Sequence, residues 1–192
     1  MRTTSKKLRV VELYAGLGRS AEPFRKWKRA SLSLLVDANP YVASVYRRNV
    51  PRAPYLVEDL RNVDAKWVQE KAGGSVDILL ACPPCQGFSD NGQRNPWDHR
   101  NRHLRAYARI AAALRPKAIA MENVPLAVSA RAFTSFTDMI AEAGYKWTAG
   151  IVNAALYGSA QCRQRLIFIA IRDGRPHNEG RGEISRSALA RG

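Results

Sequence analysis

Short apolar runs alternate with amphipathic segments along most of the chain, and this alternation limits the possible folds. The runs LRVVEL (8–13), SLSLLVD (31–37), VDILL (76–80) and KAIAMENV (117–124) have the length and composition of buried strands. Such strands separated by helical patterns predict an α/β fold with a doubly wound, mostly parallel sheet. Two later runs indicate an antiparallel hairpin at the C-terminal side of this sheet, over residues 147–154 and 165–172.

The length of the chain suits a single domain. We expect that domain to cover residues 1–172. Residues 173–192 are rich in glycine and arginine, and we expect them to form a basic, flexible tail without a core of its own.

A glycine turn follows the first strand and opens a helix. Gly16, Gly18 and Ala21 fit the pattern G-x-G-x-x-G/A, in which the backbone approaches a ligand at a helix N-terminus. We predict the helix over residues 21–29, with Ser20 as its N-cap.

Two carboxylates follow the next two strands. Asp37 ends the second strand about 20 residues beyond the glycines, where an acid commonly accepts hydrogen bonds from the ribose of a nucleoside. Asp59 ends a short strand within residues 53–60 and is a candidate acceptor for an adenine amino group. A helix cap is the alternative role for Asp59.

The segment ACPPCQGFSDNGQ (81–93) follows the VDILL strand and carries Cys85 to the edge of the sheet where ligands bind in open α/β folds. Its thiolate would be the reactive form. Glu122 and Asn123 end a later strand at the same edge, where a carboxyl group is costly unless it binds or protonates something. The residues alone leave open an inert, buried Cys85 and a capping role for Glu122.

The charge of the chain favours a polyanionic partner. The 31 Lys and Arg residues against 16 Asp and Glu give a net charge of +15, and nucleic acid is the first candidate. A generally basic proteome would produce the same balance. Three cysteines, without a signal peptide or a bilayer-length apolar run, indicate a soluble protein in a reducing compartment. We expect a cytoplasmic protein of prokaryotic or phage origin.

Five motifs along residues 8–172 resemble those of the cytosine-5 DNA methyltransferases, in the order ELYAGLG, CPPCQGFS, DHRN, MENV and QCRQR. The resemblance implies a Rossmann-like methyltransferase sheet, S-adenosylmethionine as cofactor and DNA as substrate. It implies that the Cys85 thiolate adds to C6 of a flipped cytosine while Glu122 stabilises charge at N3. Arg165 would hold the cytosine O2, and Arg163 would support it.

The same resemblance assigns the cofactor pocket. The implied residues are Tyr14, Ala15, Gly16, Leu17, Gly18, Asp37, Asp59, Leu60 and Pro84. Arg19 departs from the pattern, because the family often has a second glycine there. The family's target-recognition region and final segment have no counterpart here, so we expect a short form that is weakly specific, that needs a second subunit for target recognition, or that is inactive.

Other site chemistries use some of the same residues. Cys82 and Cys85 followed by His99 and His103 have the spacing of a zinc finger, but the loop between them lacks a small hydrophobic core, so we expect no metal. A CPPC redox pair would leave the glycine turn and MENV unexplained. A nicotinamide dehydrogenase would leave Cys85 and Glu122 without roles.

Two further alternatives lie closer to the methyltransferases. One is a catalytically impaired or partner-dependent protein that binds nucleic acid, and the other is an RNA cytosine-5 methyltransferase. Intact Cys85, Glu122 and Arg165 favour an enzyme. The positive charge fits DNA and RNA equally well.

Overall fold

The computed structural model describes residues 6–50, 54–84, 102–172 and, for the backbone alone, 183–185. The strands of these residues are β1 (Leu8–Leu13), β2 (Ala30–Asp37), β3 (Tyr55–Val57), β4 (Ile78–Ala81), β5 (Ala118–Asn123), β6 (Lys146–Asn153), β7 (Gln164–Ile171) and β8 (Glu183–Ser185). The helices are α1 (Glu22–Lys26), α2 (Pro40–Asn49), α3 (Ala65–Lys71), α4 (Arg102–Leu114) and α5 (Arg131–Glu142), with 3-10 helices at Pro125–Ser129 and Ala154–Tyr157.

All eight strands form one sheet in the order β3-β2-β1-β4-β5-β7-β6-β8. Strands β1 to β5 pair in parallel, whereas β7 runs antiparallel to both β5 and β6. This topology confirms the predicted doubly wound sheet with an antiparallel hairpin. Strand β8 pairs in parallel with β6 and was not predicted, because its three residues carry no strand pattern.

The central strands are in register at the carboxyl edge, where β5 extends two residues beyond β1 and β4. Leu13 of β1 pairs with Ala81 of β4, and Ala81 pairs with Met121 of β5. The residues that follow these three therefore emerge side by side at the carboxyl edge of the sheet, where open α/β folds bind their ligands.

Helices α3, α4 and α5 cover one face of the sheet. An aromatic cluster fills this layer, formed by Tyr107, Phe133, Phe136, Trp147 and Phe168. The rings of Phe136 and Phe168 meet edge to face with centroids 4.9 Å apart, a preferred geometry for aromatic pairs.

Helices α1 and α2 lie over the other face, where they pack on β1, β2 and β3. They do not cover β7, which alternates between buried and exposed residues along its length. Ile169 and Ile171 on the uncovered face are 43% and 56% exposed. Apolar side chains this exposed on neighbouring positions mark a surface available for an interaction.

Helix α1 is shorter than predicted and lacks the predicted cap. Ser20 does not cap it, because its hydroxyl lies 3.2 Å from the Cys82 sulfur, and the N-cap residue is Ala21. The chain leaves the helix at Trp27, whose backbone is extended, and so reaches the start of β2. Asp64 caps α3 by accepting from the Trp67 N–H.

Among the described residues, none of the helices combines the length and the hydrophobicity needed to cross a lipid bilayer.

Replacing Phe168 with alanine tests the aromatic cluster. Because Phe168 is fully buried, we expect Phe168→Ala to lower the free energy of unfolding by about 3–5 kcal/mol. Ile171→Ala, on the exposed face of the same strand, should lower it by less than about 1 kcal/mol. Urea denaturation followed by circular dichroism measures both changes. Equal losses for the two variants would contradict the assignment of the covered and uncovered faces.

Candidate active site

Three strands deliver candidate residues to the carboxyl edge of the sheet. Tyr14 follows β1, Cys82 follows β4, and Glu122 lies near the end of β5. These residues emerge side by side because Leu13, Ala81 and Met121 are paired across the three strands. The antiparallel β7 begins at this edge, and Glu122 pairs there with Ile167.

Glu122 and Arg165 form an ion pair between β5 and β7. Arg165 Nε lies 2.7 Å from Glu122 Oε1, and the two side chains are 22% and 35% exposed, respectively. Arg165 Nη1 donates to the carbonyl of Gln164 at 2.6 Å. A guanidinium has five N–H donors, so Arg165 retains donors for a ligand while it orients the carboxylate.

Asn123 connects the end of β5 to the segment that precedes Cys85. Its side-chain amide donates to the carbonyl of Pro83 at 3.5 Å, and its side-chain oxygen accepts from the N–H of Val124. Pro84, one of the predicted cofactor residues, is half-buried directly after Pro83. Cys85, the predicted nucleophile, lies outside the described residues.

Arg163 lies just before β7 with an exposed side chain. Its N–H donates to the side-chain oxygen of Asn153 at 3.1 Å, and its carbonyl accepts from the N–H of Ala154 at 2.9 Å. These contacts fix the backbone that leads into Arg165, so Arg163 belongs to the same edge without joining the ion pair.

The glycine turn after β1 has an unusual backbone. Tyr14, Gly16 and Gly18 all have positive φ values, of 54°, 49° and 67°. Positive φ is uncommon outside glycine, so Tyr14 is held there by its surroundings. Its hydroxyl donates to the carbonyl of His103 at 3.2 Å. Ala15 is buried beside Tyr14 and donates to the carbonyl of Val36.

The two glycines of the turn have different roles. A Cβ at Gly16 would meet no atom within 4 Å, so the turn leaves room for a ligand at that point. A Cβ at Gly18 would lie 2.3 Å from Cε2 of Tyr46, so this glycine makes space for a core side chain. Leu17 between them is 45% exposed.

Asp37 holds the turn in position from the end of β2. One of its carboxylate oxygens accepts from the N–H of Gly16 and the other from the N–H of Asn39, both at 2.9 Å. A carboxylate offers about four lone-pair sites. Asp37 therefore retains acceptor capacity, which fits the ribose hydroxyls of a nucleoside.

Tyr55, which the sequence analysis did not identify, stabilises the glycine turn through a hydrogen bond. Its hydroxyl donates to the carbonyl of Gly16 at 2.7 Å, and its ring packs on that of Tyr46 with centroids 5.4 Å apart. Burial raises the pKa of Tyr55, so the hydroxyl keeps its donor proton. No local pattern in β3 indicates this contact with a residue 39 positions earlier.

Asp59 is paired with a cation and does not cap a helix. Both of its oxygens accept from Arg61 Nε at 3.0 Å, and this hydrogen bonding lowers the pKa of Asp59. The helix-cap alternative is wrong for Asp59, because Asp64 caps α3. Leu60, the other residue implied at this position, has its side chain in the core.

A buried carboxyl group lies behind the turn. Glu12 on β1 is fully buried, and its Oε2 accepts from the N–H of Ala21 at 3.2 Å. Burial raises the pKa of Glu12 from 4.5 to about 7. The folded state favours the protonated form of Glu12, so the contribution of this group to the free energy of unfolding is complete below pH 4.5. That contribution is lost as the pH rises through about 7.

Cys82 has the properties of an unreactive thiol. It is partly buried against Ser20, and burial raises the pKa of its thiol to about 11. Across the part of the chain that the structure describes, no three His, Cys, Asp or Glu side chains are grouped so that they could hold a metal ion. Two of the four zinc-finger candidates, Cys85 and His99, lie outside that part.

Comparisons with known proteins agree with this architecture. The family model for C-5 cytosine-specific DNA methylase matches residues 8–189. Type II methyltransferase M.AgeI of Thalassovita gelatinovora is 33% identical over 173 residues, which are 87% of this chain and 40% of that relative. Type II methyltransferase M.DdeI of Desulfomicrobium norvegicum is 32% identical over 178 residues, 90% of this chain and 42% of the relative.

A solved structure shows the same fold. The putative DNA modification methyltransferase encoded within a prophage of E. coli superposes with a TM-score of 0.74 at 25% identity, over 86% of this chain and 47% of the other. The chain thus spans less than half the length of each of these three proteins. The family model covers nearly all of the chain, and the two type II methyltransferases exceed 30% identity along most of it. The chain therefore belongs to the C-5 cytosine-specific DNA methylase family.

Proposed function

We propose that this chain is the catalytic part of a DNA (cytosine-5)-methyltransferase that uses S-adenosylmethionine. The observation that carries the proposal is the ion pair between Glu122 and Arg165, which lies beside the segment that leads to Cys85. An acid and a guanidinium at this end of the sheet match two polar atoms of a cytosine ring, N3 and O2. Membership of the family supports the same reaction.

The turn and the acids beside it would hold the cofactor. Asp37 would bind the ribose, Asp59 and the backbone of Leu60 the adenine edge, and Tyr14 the adenine ring. Leu17, Gly18, Ala15 and Pro84 would complete the pocket around the open space at Gly16. When bound there, S-adenosylmethionine supplies an electrophilic methyl group.

The chain's own residues would activate the base. The Cys85 thiolate forms a bond to C6, and the electron pair of the C5–C6 double bond becomes available at C5. In its protonated form, Glu122 donates a hydrogen bond or its proton to N3, where negative charge accumulates. Arg165 donates to O2, while its bond to Glu122 keeps both groups in register. Once C5 carries the methyl group, the C5 proton is lost to a base. The electron pair of the C5–H bond then re-forms the C5–C6 double bond, and the Cys85 thiolate departs from C6.

The substrate is duplex DNA with the target cytosine flipped out, because C5 and C6 are inaccessible to this site inside a base stack. The net charge of +15 favours binding to the phosphate backbone. The type II methyltransferases among the relatives support a role in DNA modification in the cytoplasm of a prokaryote.

Target recognition would come from a second subunit, which is one of the possibilities that the sequence analysis leaves open. The uncovered face of β7 supports this proposal, since Ile169 and Ile171 are exposed there. This apolar surface would bind a polypeptide that corresponds to the part of the relatives that the chain does not match.

Methyl transfer tests the nucleophile. We expect transfer of labelled methyl groups from S-adenosylmethionine to duplex DNA above the levels with tRNA and with buffer. Cys85→Ser should abolish it, because a hydroxyl is a far weaker nucleophile than a thiolate. Cys162→Ser, at an exposed cysteine, is the matched control and should retain it.

Methylation that survives Cys85→Ser would refute the mechanism. Calorimetric binding of S-adenosylmethionine without transfer to either nucleic acid would favour the partner-dependent alternative. Transfer to tRNA alone would favour the RNA methyltransferase.

The ion pair gives a second prediction. Glu122→Gln should slow methyl transfer by at least about 100-fold, because an amide cannot protonate N3. Affinity for S-adenosylmethionine should change less than about threefold, since Glu122 is outside the proposed cofactor pocket. Glu142→Gln, at an exposed position of α5, is the control. Loss of cofactor affinity in Glu122→Gln alone would show that Glu122 acts on the cofactor instead.

Tyr55 gives a third prediction. Tyr55→Phe removes the hydrogen bond to Gly16 and keeps the ring, so the dissociation constant of S-adenosylmethionine should rise about 3- to 10-fold. Tyr41→Phe, at an exposed tyrosine of α2, should leave it unchanged. Calorimetry measures both constants, and equal affinity of the two variants would mean that the turn does not need this support.

A further inference from the structure

A basic cavity lies at the amino edge of the sheet, opposite the candidate active site. It has a volume of about 550 Å³ and lies where β1 and β2 begin, below the end of α3. We call it the Arg9 cavity, and its polar lining residues are Lys6, Lys7, Arg9, Ser31 and Ser33. The described contacts of the proposed methyl-transfer reaction use none of these residues.

The shape of the cavity follows from the short helix above it. Helix α3 ends at Lys71, and the glycine turn after it leaves the first half of β2 uncovered on this face. The guanidinium of Arg9 packs against Gly74, where a Cβ would lie 2.7 Å from Nη1. Arg9 Nη1 also donates to the carbonyl of Ser75 at 2.9 Å. One cation of the cavity is therefore held in a fixed position.

The cations of the cavity form no close ion pair with a described carboxylate, although Lys6 attracts Asp77 over a longer distance. Lys6, Lys7 and Arg9 make no ion pair within 4.0 Å with a described acid. Asp77, the acid nearest to Arg9 in the sheet, accepts from the Arg9 N–H and from Lys117 Nζ, both at 2.8 Å. The local excess of positive charge thus remains available to a ligand.

The hydroxyl groups of Ser31 and Ser33 indicate which class of ligand the cavity binds. Ser31 is exposed at the mouth of the cavity, and Ser33 donates to the carbonyl of Ser31 at 3.2 Å. Three cations beside hydroxyl groups suit an oxyanion, and phosphate is the oxyanion that lysine and arginine most often bind in nucleic-acid complexes.

We propose that the Arg9 cavity binds a backbone phosphate of nucleic acid, as a sequence-independent contact outside the methyl-transfer site. The six residues of β1 span about 20 Å, so this contact is a separate one from any made at the carboxyl edge. Its role is to increase the affinity for nucleic acid of any sequence. The excess of 31 basic over 16 acidic residues favours a polymer over a free anion.

A duplex made only of A·T pairs tests this contact without engaging the proposed reaction, because it contains no cytosine. We expect the double variant Lys6→Gln/Lys7→Gln of the full chain to raise the dissociation constant at least about fivefold. The plot of the logarithm of the association constant against the logarithm of the salt concentration should become less steep, by about one to two in slope. Lys66→Gln/Lys146→Gln removes the same charge from residues outside the cavity and should change both quantities much less. Fluorescence anisotropy at several salt concentrations gives both numbers.

Two results would overturn the proposal. One is equal behaviour of the two double variants when both retain the melting temperature of the original chain. The other is calorimetric binding of inorganic phosphate that Lys6→Gln/Lys7→Gln abolishes while duplex affinity is unchanged, which would assign the cavity to a free anion. Binding of S-adenosylmethionine, measured on the same variants, reports separately on the proposed function, because its pocket lies at the other edge.

Discussion

The ion pair between Glu122 and Arg165 depends on a reversal of chain direction in the sheet. Residues at the end of β5 and at the beginning of β7 meet because β7 runs antiparallel between two other strands. A parallel strand at that position would bring its last residues to this edge in place of Arg165. The antiparallel hairpin therefore places a guanidinium beside a carboxylate, and the contact of Asn153 with Arg163 depends on the same arrangement.

The sequence allowed the framework to be predicted because strand and helix periods are local properties. The strand runs, the parallel direction of the first strands and the delivery of Glu122 to the carboxyl edge all follow from those periods. The support of Gly16 by Tyr55 could not be predicted, because it joins residues far apart along the chain through one hydroxyl group. The pairing of Asp59 with Arg61 is local, but the residues alone also fit a helix cap, and only the folded chain shows that Asp64 caps α3.

The edges of the sheet carry different chemistry. At the carboxyl edge, acids hold backbone groups or pair with arginines, as Asp37, Asp59 and Glu122 do. At the amino edge, Lys6 and Arg9 face a cavity with few acids nearby. A chain of high positive charge can in this way keep ordered carboxylates for a small, hydroxyl-rich ligand and still present cations to a polymer.

The packing of Tyr46 beneath Gly18 changes what the glycine motif can be taken to mean. A methyl group at this position would collide with an aromatic ring of the interior before it could disturb any small molecule. Impaired binding after such a substitution would report a displaced tyrosine, not a lost ligand contact. The two glycines of the motif G-x-G are thus required for different reasons in this protein: Gly16 leaves space open beside the turn, and Gly18 leaves space for a core side chain.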